Sequence, residues 1–267
     1  MLLLALNDSQ ELAGVPASGG RHLIPAVGYP RFPAWHPDAG LAYIAISSAP
    51  PPWQVVLAVT AVDLELIDIV PGAAVFAPPV WSPDGSKLLF IRGDSDQAEA
   101  VVWHRTDGRL ESAFALDGLR SAAWDPEGEI VYSVGGEILR RDHDQGTVLG
   151  SVPAARGLLE FGSDDLYVTV DQLCISGTGE LAATERWYRQ GLAPKERIVE
   201  LHGDTYREGP AGRYPQWRAD GSLLFTSDTG TPVLRGTTLA PLLEGTDVLD
   251  GSGAHSAAWA EGFRRDR

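Results

Sequence analysis

Cationic residues recur at one position of this sequence in a way that suggests a site. Arg31 stands four residues before Trp35, Arg120 four before Trp124, Arg213 four before Trp217, and His255 four before Trp259. Guanidinium groups bind carboxylates and phosphates through a planar fork of donors, and several of them around a low-dielectric concavity attract an anion more strongly than open water allows. The expected chemistry is anion binding. Two positions of the series are neutral: Ala77 before Trp81 and, if Phe161 replaces a lost tryptophan, Gly157. These would be gaps through which a ligand enters, and Arg156 lies one position off the series. The simpler alternative is that each arginine pairs with an acidic side chain of a neighbouring element.

Other chemistries find less support in the residues. A serine hydrolase needs a Gly-x-Ser-x-Gly elbow between strand and helix, and none occurs; Gly251-Ser-Gly-Ala-His255 reads as a loop. His22, His36, His104, His143, His202 and His255 lack the short spacings of a zinc site. Asp94-Ser-Asp96 and Asp142-His-Asp144 carry oxygen ligands of the kind calcium takes, but read more simply as polar turns. No catalytic residue, metal site or cofactor is therefore expected. A second contact set is aromatic: Trp53 after three prolines, and Trp187, Tyr188 and Arg189 in an irregular stretch. Such residues anchor protein interfaces, or else cover the ends of strands.

These candidates are positioned by a repeat. Pro33-Ala-Trp-His-Pro-Asp-Ala-Gly-Leu-Ala-Tyr-Ile44, Pro79-Val-Trp-Ser-Pro-Asp-Gly-Ser-Lys-Leu-Leu-Phe90, Ala123-Trp-Asp-Pro-Glu-Gly-Glu-Ile-Val-Tyr132 and Pro215-Gln-Trp-Arg-Ala-Asp-Gly-Ser-Leu-Leu-Phe225 read alike, and Ala258-Trp-Ala-Glu-Gly-Phe263 is a fainter copy. The tryptophans Trp35, Trp81, Trp124, Trp217 and Trp259 are separated by 46, 43, 93 and 42 residues. The long interval is two periods, so one anchor has decayed, to Phe161 or to Ile175. A period of about 45 residues suits a four-stranded propeller blade. The 34 residues before Trp35 and the 8 after Trp259 together make one more repeat. The arithmetic predicts six blades in a single domain over 1–267, closed by strands from both termini, which spares the ring the polar caps of an open stack.

Within a repeat, four strands are expected, as at 77–82, 87–92, 100–105 and 109–116. Asp84-Gly85, Asp107-Gly108 and Asp220-Gly221 read as tight hairpins because glycine tolerates positive φ. The repeated tryptophans are expected to fill the wedges between blades. The cationic series then falls where the chain enters each innermost strand, at the channel mouth opposite the Asp-Gly hairpins.

Trp-x-Pro-Asp-Gly followed by an apolar strand resembles the repeats of TolB-like propellers and, more distantly, of WD-repeat proteins. The resemblance implies a ring of six or seven blades that acts mainly by binding proteins or peptides. The leading expectation is a non-enzymatic scaffold that receives a peptide, a protein segment or a small anion at the mouth bearing Arg31, Arg120, Arg213 and His255. The alternatives are a propeller hydrolase or lyase acting on a sugar or lactone, and a structural assembly module.

Composition bounds the partners. The chain has 21 Lys plus Arg against 36 Asp plus Glu, a net charge of −15 that repels nucleic acid and anionic membrane surfaces. No apolar run approaches the roughly 18 residues of a membrane span. Met1-Leu-Leu-Leu-Ala-Leu6 has no preceding basic residues and reads as a first strand rather than a signal peptide. The lone Cys174 excludes an internal disulfide and leans toward the cytoplasm, with periplasm or secretion open should a leader be missing.

Overall fold

Apolar runs with no polar alternate mark strands covered on both faces, and the computed structural model of this chain contains many. Val55–Thr60, for instance, is buried along almost its whole length. The structure describes residues 2–6, 11–16, 22–47, 52–94, 97–142, 145–151, 166–189, 193–202, 205–234, 237–238 and 254–259. All regular elements among them are strands, arranged in six antiparallel four-stranded sheets.

Blade 1 contains β1 (Leu2–Leu6), β2 (Glu11–Val15) and β3 (His22–Pro25). Blade 2 is β4 (Tyr29–His36), β5 (Gly40–Ile46), β6 (Val55–Thr60) and β7 (Leu66–Pro71). Blade 3 is β8 (Val80–Trp81), β9 (Lys87–Gly93), β10 (Ala98–His104) and β11 (Leu110–Leu116). Blade 4 is β12 (Leu119–Trp124), β13 (Ile130–Val134), β14 (Glu137–Asp142) and β15 (Gln145–Ser151). Blade 5 is β16 (Leu166–Ile175), β17 (Leu181–Arg189), β18 (Lys195–His202) and β19 (Thr205–Ala211). Blade 6 is β20 (Arg213–Trp217), β21 (Leu223–Thr226), β22 (Pro232–Leu234) and β23 (Thr237–Thr238).

The last strand, β24 (Ala254–Trp259), returns to pair antiparallel with β1, with Leu2 opposite Trp259 and Leu3 opposite Ala258. It supplies the innermost strand of blade 1 and so closes the ring. The innermost strands contact one another in turn around the axis. The fold is a six-bladed β-propeller, with six sheets rather than seven. No helix among the described residues is long and apolar enough to cross a membrane.

Register identifies the decayed anchor. Trp35, Trp81, Trp124 and Trp217 pair with Leu41, Leu88, Ile130 and Leu223 at the ends of their hairpins. In blade 5 that place belongs to Ile175, opposite Leu181. Its turn repeats the others: Gly179 donates to the Ser176 carbonyl at 3.0 Å, as Gly85 does to Ser82 at 2.9 Å and Gly221 to Arg218 at 3.0 Å. Phe161, Gly157 and Arg156 lie outside the described residues; four residues before Ile175 is Asp171, an acid.

The hairpins differ from the expected two-residue form. Only the glycine takes positive φ, 67° at Gly85 and 76° at Gly221. Pro83 and Asp84 fill the two central positions of the turn closed by the Gly85 N–H, and Pro at the first of these presets the φ that position needs. The Asp84 carboxylate then ties the turn together, accepting from Ser82 Oγ at 2.7 Å, Ser86 N at 3.0 Å and Ser86 Oγ at 2.8 Å. These donors, the Ser82 hydroxyl foremost, lower its pKa from 3.8 to about 2. A carboxyl with a depressed folded pKa adds stability above its unfolded pKa and loses it as pH falls through the folded one. Carboxyl-detected NMR titration should therefore place the Asp84 midpoint near 2, and Ser82→Ala should move it toward 3.8. A midpoint unchanged by that substitution would remove the hydroxyl as the main cause.

The core lies between blades. Ile44, Leu57 and Val59 of blade 2 meet Leu88, Phe90, Val101 and Trp103 of blade 3, and comparable clusters join blades 3 and 4, 4 and 5, and 5 and 6. Trp81 and Trp124, each 8% exposed, reach back to the preceding blade and donate Nε1 to the Ala34 and Val80 carbonyls at 3.3 and 3.2 Å. An indole at this position buries a large apolar area and satisfies its one polar atom in the same contact.

Candidate functional site

The cationic series meets carboxylates at the mouth opposite the hairpins. Arg120 of β12 donates Nε to Asp171 Oδ1 at 3.0 Å, across the boundary between blades 4 and 5. Asp171 is fully buried and also receives Arg186 of β17 at 3.1 Å. Arg186 in turn donates Nε to Glu196 of β18 at 2.7 Å, and Glu196 receives Arg213 of β20 at 3.4 Å. Three guanidiniums thus alternate with two carboxylates from blade 4 to blade 6. Tyr188 lies over the middle of this ladder, its hydroxyl accepting from Arg120 at 3.3 Å and Arg186 at 3.2 Å.

Burial opposes charge on Arg120 and Arg186, but their neighbours together outweigh it, Asp171 and Tyr188 for both and Glu196 as well for Arg186, and both guanidiniums are held above their ordinary pKa. They stay charged throughout the working range. The Tyr214 phenol is pushed up to about 12, first by burial; the nearby cations Arg213, Arg186 and Arg31 pull the other way. Arg31 also donates Nη1 to its neighbouring Pro30 carbonyl at 2.8 Å. Thus Arg120 and Arg213 share one ladder, and Arg31 acts on the tyrosine beside its end. His255 is on β24, the innermost strand of blade 1, and its side chain lies outside the described residues.

Below this mouth two aromatic rings meet. Phe32 and Tyr214 adopt left-handed φ of 51° and 58°, and Gln172 does so in blade 5. Each follows its member of the four-before series at a bulge in the innermost strand. A bulge re-aims side chains, and the Phe32 and Tyr214 rings meet edge to face with centroids 5.0 Å apart.

On the hairpin side of these rings the channel opens into a cavity of about 520 Å³. Every blade contributes a wall: 32–36, 78–83, 124–126, 173–177, 214–219 and Ala257. The lining includes Trp35, Trp81, Trp124 and Trp217 and prolines such as Pro33, Pro79 and Pro215. His36, Asp125 and Arg218 line the cavity together with the titratable Tyr214 and Cys174. Cys174 is also on this wall, and burial pushes its thiol pKa up, which makes it a poor nucleophile. Among the described residues no three His, Cys, Asp or Glu side chains gather as a metal site would need.

The aromatic contact set divides. Trp53 is 68% exposed beside the loop between β5 and β6. Trp187, Tyr188 and Arg189 belong to the nine-residue strand β17, not to an irregular stretch. Trp187 lies under the Arg197 guanidinium, 5.3 Å from its ring centre, while Tyr188 serves the ladder. The Arg189 side chain lies outside the described residues. Sequence reasoning missed Arg186, Glu196 and the axial cavity. Asp171 was within reach, because counting back four residues from Ile175 finds it.

No family model matches this chain, and no curated protein matches it. Among solved structures, TolB from Acinetobacter baumannii superposes with a TM-score of 0.60 at 18% identity, over 89% of this chain and 61% of that one. A putative 6-phosphogluconolactonase from Bacteroides uniformis superposes with a TM-score of 0.50 at 16% identity, over 87% of this chain and 76% of that one. At these identities the likeness is one of fold. The chain spans about 61% of the length of the TolB structure it resembles.

Proposed function

We propose that this chain is a non-enzymatic binding scaffold that receives an extended segment of another protein in the axial cavity, entering from the hairpin face. The observation that carries the reading is the cavity itself: about 520 Å³, walled by all six blades with indoles and prolines. Ligand sites are concavities of about 300–1,000 Å³ lined by apolar and aromatic groups with a few polar ones. Grooves lined by aromatic side chains suit extended, proline-bearing peptides, because such segments lose little conformational entropy on binding. The fold shared with TolB is consistent with this role and does not by itself supply it. Arg120 and Arg186 have their donors largely engaged by Asp171, Glu196 and Tyr188, and Arg213 joins through Glu196, so we assign the ladder to holding blades 4, 5 and 6 together rather than to the ligand.

Gly177 offers a clean test. It lines the cavity, its φ is not in the left-handed region, and a Cβ built on it meets nothing within 4 Å. Gly177→Phe should therefore fill the channel without displacing its wall. Calorimetry with ten-residue synthetic peptides alternating proline and aliphatic residues should show saturable binding to the wild type. The Gly177→Phe variant should bind at least about tenfold more weakly with an unchanged unfolding midpoint, since surface substitutions usually act within about 0.5 kcal/mol. Equal binding by the two proteins, or none of the panel bound by the wild type, would end this reading.

A further inference from the structure

A second pocket, off the axis, has two cations that form no ion pair among the described residues. It is a cleft of about 690 Å³ between blades 3 and 4, bounded by Val102, Ala113, Trp124 and Ile130 and by the charged residues described next. Pairing explains why these side chains share it. His104 is opposite Lys87 in blade 3, and Trp124 is opposite Ile130 in blade 4. Val102, Trp124 and Ile130 belong to the cluster that joins the two blades, so both rows face the same gap.

The two blades exchange cations across it. Lys87 of blade 3 stands 6.0 Å from the ring centre of Trp124, and Arg141 of blade 4 stands 5.2 Å from that of Phe114. In a molecule with 36 acidic and 21 basic residues, a cation without a carboxylate is unexpected. Yet among the described residues neither Lys87 nor Arg141 forms an ion pair. The acids at the cleft do not fill that role. Glu111 is taken by His104 at 3.0 Å and Arg109 at 3.1 Å. Glu129 is exposed and pairs with neither cation. Aromatic faces orient a cation without cancelling its charge.

We propose that this cleft binds a small oxyanion carried on an apolar body, with the anionic head between Lys87 and Arg141 and the body against Val102, Trp124 and Ile130. An ammonium and a planar guanidinium both serve carboxylate and phosphate heads, and the apolar walls lower the local dielectric and favour an amphiphilic ligand over a bare ion. The cleft shares Trp124 with the axial cavity, but its cations Lys87 and Arg141 do not line that cavity, so the inference does not rest on the function proposed there.

The test is calorimetry on the full chain with sodium benzoate and with phenyl phosphate, at ionic strength held constant by chloride. Saturable binding of either probe is expected, and which one binds identifies the head. A Lys87→Met and Arg141→Gln double variant keeps both stems on their rings and should raise Kd at least tenfold, while Lys195→Met on β18 should leave it unchanged. Methyl NMR of the wild type provides a readout that needs no variant: the Val102 and Ile130 signals should shift with the same midpoint. Failure of both probes to saturate, wild-type affinity in the double variant, or shifts that avoid Val102 and Ile130 would each overturn the proposal.

Discussion

Asp171→Asn should lower the stability of the folded ring by about 3–5 kcal/mol, the largest effect expected of any single charge removal in this chain. Asp171 is wholly buried and receives two guanidiniums, Arg120 at 3.0 Å and Arg186 at 3.1 Å, whose side chains are only 15% and 14% exposed. Asparagine keeps the shape but removes the negative charge and turns an amide donor toward groups that can only donate. Arg186 would retain Glu196, whereas Arg120 would keep the Tyr188 hydroxyl and the Phe76 ring but no carboxylate. Uncompensated charge in a partly buried site costs far more than the intact pair contributes. For a chain of this size, about 2–4 °C of melting temperature accompanies each kcal/mol, so a fall of about 10 °C is expected. Urea unfolding followed by circular dichroism measures it directly. Adding Arg120→Met to Asp171→Asn should restore part of the loss, because one stranded charge goes with it. A loss below about 1 kcal/mol for the single variant would mean that solvent, not Asp171, neutralises these arginines.

Gly40→Ala should come next, at about 3 kcal/mol or more, and its comparison with Gly128→Ala separates two causes. Both glycines have positive φ, 111° at Gly40 and 84° at Gly128. A Cβ on Gly40 would lie 2.2 Å from the Thr60 carbonyl oxygen and 2.6 Å from the Ala61 carbonyl carbon, both backbone atoms that cannot swing aside. A Cβ on Gly128 meets nothing within 4 Å. Gly128→Ala should therefore cost only the left-handed backbone penalty of about 1–2 kcal/mol. The excess at Gly40 is the price of forcing β5 away from β6, where an entire blade must give. Equal losses in the two variants, measured by the same urea unfolding, would show that the blade absorbs the clash by local adjustment.

Much of the architecture was legible because it is a local, repeated requirement. Trp81 and Trp124 recur at the blade period because a gap between blades needs a large apolar wedge, and there each indole also places its donor on the preceding blade. Gly85, Gly128, Gly179 and Gly221 recur because the hairpin needs a left-handed residue there, while the proline and the acid of Pro83 and Asp84 are absent from the blade 5 turn at Gly177 and Thr178. The strands expected at 87–92 and 109–116 appear as β9 (Lys87–Gly93) and β11 (Leu110–Leu116). Blade 5 was obscure for the converse reason: Ile175 fills the wedge without a signature, and only its pairing with Leu181 identifies it.

The amino-acid order by itself determined the period, the hairpins, the number of blades and the position at which the cations fall, since all of these follow from neighbours within one repeat. What those cations meet was decided by the closed ring. Arg120 and Asp171 are 51 positions apart on neighbouring blades, and Arg213 reaches Glu196 across the next boundary, whereas Arg186 and Glu196 are opposite each other within one hairpin. The axial cavity and the cleft at Lys87 and Arg141 have the same origin. Each is a gap between surfaces that become neighbours only when the sheets have packed, and a side chain's charge partner or lack of one is fixed by that packing.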